Sequence, residues 1–172
     1  KYIRENLTAL EVLDLSGTNM TVFPNRALAF YNGENTTLKE VILPEGLISI
    51  EEAAFANCTA LEKLNVPSTV NTLGRWILEN TKVTSFTIPQ GVTEIPASCF
   101  YGSAINTINI PPSVKTIGNW AFQDAKLTEV VIPSSVTSIG KWAFGCDNDN
   151  PTLQSVIIEA NITEIPVCCF YL

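Results

Sequence analysis

The sequence predicts a repeat solenoid, mainly β, coiled into about six to seven turns of about 22–28 residues, with a parallel β-sheet on one face and short second strands or turns on the other. Three observations predict it. The stretch IPPSVKTIGNWAF, from Ile110 to Phe122, recurs one turn later as IPSSVTSIGKWAF, from Ile132 to Phe144, and looser copies start at Leu43, Val66, Ile88 and Ile158. Aliphatic anchors at Leu38, Leu61, Val83, Ile105, Leu127 and Leu153 are spaced by 23, 22, 22, 22 and 26 residues. A proline closes the apolar run in five of these turns, as Pro44, Pro67, Pro89, Pro111 and Pro133. Copying at fixed spacing means that each turn is one small unit, able to bury its apolar side only by stacking on its neighbours.

In chain order, LTALEVLDLSGTNM opens the array. Leu10, Leu13 and Leu15 alternate along a short strand and point inward, while Val12 and Asp14 point out of it. With Thr18 and Met20, the spacing L-x-x-L-x-L-x-x-T-x-M resembles the general leucine-rich repeat pattern. The segment from Asn25 to Gly33 is expected to form a short helix, capped by Asn25 and stopped near the glycine. Residues 1–37 are expected to form an atypical first turn or cap and 38–172 the regular repeats, in one solenoid domain spanning 1–172.

Within each regular turn, the residues three and five past the anchor (Ile108 and Ile110, or Val130 and Ile132) face inward on a sheet that gains one strand per turn. The proline that follows has no N–H to give to the ladder and ends the strand. A second apolar pair, such as Val114 with Ile117 or Val136 with Ile139, marks a short strand on the opposite side. Gly74, Gly118 and Gly140, with Pro96 and Pro166 in equivalent places, suit a corner. The last inward side chain is large in every turn: Phe55, Leu78, Phe100, Phe122, Phe144 and Phe170.

The recurring I-P-x-S-V-x-x-I-G-x-x-A-F with its L-x-x-V-x-I strand resembles the BspA-like class of leucine-rich repeats over about Leu38 to Phe170. The resemblance implies a surface or secreted protein of a host-associated bacterium or parasitic protist, engaged in adhesion to host proteins or other cells. It implies no catalytic motif. The last turn departs from the pattern, with Glu159 in place of the proline.

Composition narrows the function further. A net charge of −7, a pI near 4.5 and only ten Lys and Arg oppose binding to nucleic acid or to an anionic membrane surface. No apolar run is long enough to span a bilayer, so no direct membrane insertion is expected. The chain has no histidine, which removes the commonest general base and a common neutral metal ligand. Five cysteines without a C-x-x-C pair indicate neither a zinc site nor a complete disulfide framework, and no cofactor is expected. Because the chain opens on Lys1 rather than Met, it is expected to be a piece of a longer protein whose export signal lies outside it, at the cell surface or outside the cell.

Cys99 and Cys169 fall where other turns place Ala54, Ala121 and Ala143, and so are expected as small buried hydrophobes. Asp147 and Asp149 alternate as in a calcium loop, but the glycine that such a loop needs is missing and Ile158 stands in place of its glutamate, which favours a solvated turn. Trp76, Trp120 and Trp142 share a column completed by Ala53, Ser98 and Cys168. Trp120 and Trp142, in adjacent turns, suit a stacking platform for a sugar or an apolar side chain, or half-buried packing at the corner of the coil. On the outward side of the main sheet the candidate binding residues are Ile42, Asn65, Ser85, Thr87, Thr107, Asn109 and Val131. The expected function is non-catalytic recognition of an extracellular or host protein, with glycan binding or a passive spacer as alternatives. The turn from Ile158 to Phe170 is expected to leave an open edge suited to end-to-end self-association.

Overall fold

The computed structural model describes residues 9–29, 33–147 and 151–171. Among these it holds thirteen short strands, all paired in parallel, and no helix. The main face is built from β1 (Val12–Asp14), β3 (Glu40–Ile42), β5 (Lys63–Asn65), β7 (Ser85–Thr87), β9 (Thr107–Asn109), β11 (Glu129–Ile132) and β13 (Ser155–Ile158). The second face carries β2 (Val22–Phe23), β4 (Ser49–Ile50), β6 (Thr72–Leu73), β8 (Glu94–Ile95), β10 (Thr116–Ile117) and β12 (Ser138–Ile139). Equivalent positions of the repeat pair with one another: Val41 lies opposite Leu64, Phe86 opposite Ile108, and Ile117 between Ile95 and Ile139. The predicted solenoid is therefore the fold observed, with one main strand in each regular turn and one second strand in each but the last.

Five strands of the main face end as their proline requires. The carbonyls of Pro44, Pro67, Pro89, Pro111 and Pro133 accept the N–H groups of Leu47, Val70, Val92, Val114 and Val136, at 3.0–3.1 Å, and one repeated β-turn swings the chain toward the second face. The inward columns fill a single continuous core in which Val41, Ile50, Leu61, Ile95, Phe100 and Ile132 are fully buried. Phenylalanines stack along its length, with Phe100, Phe122, Phe144 and Phe170 nearly parallel at centroid separations of 5.0, 5.2 and 5.5 Å. Such offset pairs add about 0.5–1.5 kcal/mol each beyond the area they bury.

The third side of the coil is a corner made of two successive turns. One set of N–H groups there, from Phe55, Phe100, Phe122 and Phe144, donates to a carbonyl of the following turn of the coil. The intervening set, from Ala56, Tyr101, Gln123 and Gly145, donates three residues back within its own turn. With this alternation go one left-handed residue in every turn and a second in four of them. Arg26, Ala53, Trp76, Ser98, Trp120, Trp142 and Cys168, all in one column, have φ of 51–58°. Four residues further on, Asn57, Asn80, Gly102 and Asp124 have φ of 54–61°.

Arg26 in this column also corrects the helix expected from Asn25. Residues 25–29 follow the same corner path as later turns, with Arg26 N–H donating to Glu52 and Leu28 N–H to Ala54, and the remainder of the expected helix, through residue 32, lies outside the described residues. The glycines just before this column are needed for space rather than for φ. A Cβ on Gly74, Gly118 or Gly140 would lie 2.3–2.4 Å from a backbone nitrogen of the preceding turn.

The stacking is not uniform. Between the turn carrying β5 and β6 and the turn carrying β7 and β8, neither ladder continues. Three backbone bonds cross this junction among the described residues: Leu78 N–H to Cys99, Asn80 N–H to Tyr101, and Ala104 N–H to Thr81, each 3.0 Å. Between β9 and β11 only the main ladder breaks, and β8, β10 and β12 continue past it.

Gly118→Ala is expected to destabilise the chain by about 2–3 kcal/mol, because rigid backbone, not a flexible side chain, meets the added methyl. Gly46→Ala, at a glycine with no atom within 4 Å of the added carbon, should change stability by no more than about 0.5 kcal/mol. Paired urea titrations check both.

Candidate functional site

The sheet-face candidates lie on strands of the main face, in three ladders: Ile42 and Asn65 on β3 and β5, Ser85, Thr87, Thr107 and Asn109 on β7 and β9, and Val131 on β11. Asn65, Ser85, Thr87, Thr107, Asn109 and Val131 are exposed, and Ile42 is half-buried. Ser85 lies opposite Thr107 and Thr87 opposite Asn109, around a shallow depression of about 290 Å³ floored by Phe86 and Ile108. None of these four polar side chains has a partner within the described chain, so their hydrogen-bonding groups face solvent. Asn65 differs from its neighbours on this face. Its Oδ1 accepts the N–H of Leu43 at 2.8 Å, capping a backbone group of the preceding turn. At the far end of the face Val131 lies opposite Ile157, and the two form an exposed apolar pair.

Trp120 and Trp142 lie away from this sheet, on the corner. No ring contact joins them; Trp142 instead packs against Tyr171 of the next turn, with centroids 5.0 Å apart. They line one groove of about 370 Å³, which also takes in Trp76, Tyr101, Glu79 and Asp147. Sequence reasoning found the tryptophan column but missed its partner column three residues on, which holds Ala56, Glu79, Tyr101, Gln123, Gly145 and Tyr171. In every turn from Trp76 onward, one of the two positions is aromatic and the other is not: Trp76 with Glu79, Ser98 with Tyr101, Trp120 with Gln123, Trp142 with Gly145, Cys168 with Tyr171. A Cβ on Gly145 would meet the Trp142 ring at 2.7 Å, so the two columns occupy adjoining space. The aromatic row thus runs on through the turns that lack tryptophan.

The groove is electronegative. Burial raises the Glu79 carboxyl above its ordinary range, and neither an ion pair nor a side-chain hydrogen bond neutralises it among the described residues. The Tyr101 phenol is pushed up by burial and then by the charges of Asp124, Asp147 and Glu79. Buried Gln123 donates from Nε2 to Asp147 Oδ2 at 2.6 Å, and the Asp147 N–H donates to Asp124 Oδ1 at 2.9 Å. The aspartate considered for a calcium loop is thereby tied to the corner, while Asp149 lies outside the described residues.

Cys58, Cys99 and Cys169 are buried, as the alanine alignment of the last two implied. Burial pushes the Cys58 thiol up to about 12 and Cys169 to about 11, and Cys99 well above its ordinary value, away from the thiolate that nucleophilic chemistry needs. No group of three or more metal-ligating side chains occurs among the described residues, and no helix among them is long and apolar enough to cross a membrane.

The family model for the BspA type leucine rich repeat region matches in six copies, over residues 26–150 and 93–172. The chain belongs to the BspA-type leucine-rich repeat family. This BspA-type chain is similar in fold to the crystal structure of a leucine rich cell surface protein from Faecalibacterium prausnitzii, at 24% identity and a TM-score of 0.60, covering 88% of this chain and 48% of that one. A leucine-rich repeat protein from Bacteroides ovatus matches at 15% identity and a TM-score of 0.46, covering 86% of this chain and 51% of that one. The chain thus spans about half the length of these two solved structures. No curated protein matches it.

Two substitutions separate structural from surface roles. Asn65→Ala strands the Leu43 N–H and is expected to cost about 1–2 kcal/mol, whereas Asn109→Ala should be close to neutral, as denaturant titration would show. Because the folded chain holds the Glu79 proton more tightly than the unfolded one, the ionised carboxylate costs stability. Glu79→Gln is therefore expected to raise Tm near neutral pH. The gain should vanish as pH falls through the carboxylate range and the native side chain becomes protonated, which thermal melts across pH would follow.

Proposed function

We propose that this BspA-type chain is a non-catalytic recognition module of a cell-surface or secreted protein, and that the outer face of its main sheet binds an extracellular or host protein. The observation that carries this reading is the set Ser85, Thr87, Thr107 and Asn109: four adjacent side chains, exposed and without a partner in the described chain, displayed on the paired strands β7 and β9. Short polar side chains lose little rotamer entropy on binding, and their hydroxyl and amide groups donate and accept equally well. Interior residues, including the buried thiols, are committed to stacking the turns, which supports recognition over chemistry. The similar Faecalibacterium protein is described as a cell surface protein, which supports a location outside the cell.

The same reading includes contact at the end of the array. Ile165 and Val167 are 60% and 67% exposed on the last turn, although Ile117 and Ile139, in the column of Ile165, are buried. A further turn or a second copy stacked there would cover them.

A host-protein and glycan array probed with the parent and with Thr87→Arg plus Asn109→Arg tests the sheet-face reading. Loss of protein binding at least tenfold in the folded double variant is the expected outcome. Undiminished binding overturns the sheet-face assignment, binding to glycans alone replaces the protein partner with a carbohydrate, and a parent that binds nothing leaves the passive spacer as the better account.

A further inference from the structure

We propose that the corner groove bounded by Trp76, Tyr101, Trp120 and Trp142 is a second binding site, and that it receives an extended, arginine-bearing segment of a protein partner. The site is separate from the sheet face and does not depend on it.

The first support is the backbone. Trp76, Trp120 and Trp142 have φ of 54°, 56° and 58°, a conformation that bulky L-residues rarely adopt. The other left-handed column of the same corner carries Asn57, Asn80, Gly102 and Asp124, the residue types that tolerate it. Tryptophan at such a position is not selected by the backbone. Trp76 packs on the buried Ala29, Ala53 and Ala56, and Trp142 on Tyr171, but the Trp120 ring remains 43% exposed, and the equivalent turns fold with Ala53, Ser98 or Cys168. Strain retained for an exposed ring points to a use for that ring.

The second support is charge. The groove lining includes Glu79 and Asp147 and no Lys or Arg, and the half-buried Glu79 carboxylate lacks a neutralising partner among the described residues. The Tyr101 phenol is displaced upward by burial and then by the charges of Asp124, Asp147 and Glu79, which places these carboxylates near that ring. Aromatic faces beside the Glu79 and Asp147 carboxylates complement a planar cation. A guanidinium stacks on an indole face while its edge N–H groups donate to carboxylate oxygens, which a compact ammonium does less well. A neutral sugar would use the rings and gain nothing from the negative field, and an anionic glycan would be repelled by it.

The test is calorimetric titration of the intact chain with a capped peptide alternating Arg and Ser, with the same peptide carrying neutral citrulline in place of Arg, and with a neutral cello-oligosaccharide. Binding of the Arg peptide, weakened by added salt and at least tenfold tighter than the citrulline peptide, is expected. Glu79→Gln plus Asp147→Asn keeps the rings and the Gln123 acceptor and should weaken the Arg peptide at least tenfold; Trp120→Ala plus Trp142→Ala, checked for folding, should do the same. Glu45→Gln plus Glu62→Gln, which removes two charges at exposed positions outside the groove, should bind it as the parent does, which separates a local site from the net charge of the chain. Equal affinity for the Arg and citrulline peptides, preference for the sugar, or no binding of the Arg peptide by the parent overturns the proposal.

Discussion

Backbone hydrogen bonds between successive turns are the constraint to which the rest of this chain conforms. A corner N–H such as that of Phe122 reaches the carbonyl of Ala143 only if the two turns lie within hydrogen-bonding distance at that corner. That closeness excludes a side chain at Gly118 and Gly140, and it brings the phenylalanines into parallel stacks of about the same period. It also dictates the left-handed residues, because a chain that alternates bonds to its own turn with bonds to the next must reverse direction at Trp120 and again at Asp124. Burial supplies the driving force, and the backbone pairing decides where each side chain goes.

The parts of the fold legible in the sequence are those that the core repeats. Leu61, Val83 and Ile105 fill one buried column, and a column that must stay apolar in every turn shows through any variation around it. Features set by one turn acting on another were not legible. Asn65 resembles its neighbours on the sheet face, yet its amide oxygen is committed to an N–H 22 residues earlier in the chain. Tyr101 and Tyr171 continue the aromatic row from a different column, and only the corner geometry brings that column beside the tryptophans. Asn25 has the chemistry of a helix cap, but the N–H groups of Arg26 and Leu28 are taken by the next turn, and residues 25–29 form no helix.

The two candidate surfaces differ in physical character although one repeat generates both. The sheet face around Thr87 and Asn109 is short-chained and uncharged at its centre, suited to many weak contacts along the coil. The corner groove has large rings and concentrated negative charge, suited to a few strong ones. A repeat can vary these faces independently because they occupy different columns, while the inward columns hold the register for both.

The junction crossed only by the bonds of Leu78, Asn80 and Ala104 has a mechanical meaning. Tension along the axis of a coil is carried in series, so the weakest interface sets the load that the whole can bear. Here that interface falls between the turns of Leu61 and Val83 and divides the array into two stiffer blocks. Glu79 and Tyr101 stand on opposite sides of it. A partner gripping both blocks would act as a splint, and a pull that parted them would split the groove in the same movement.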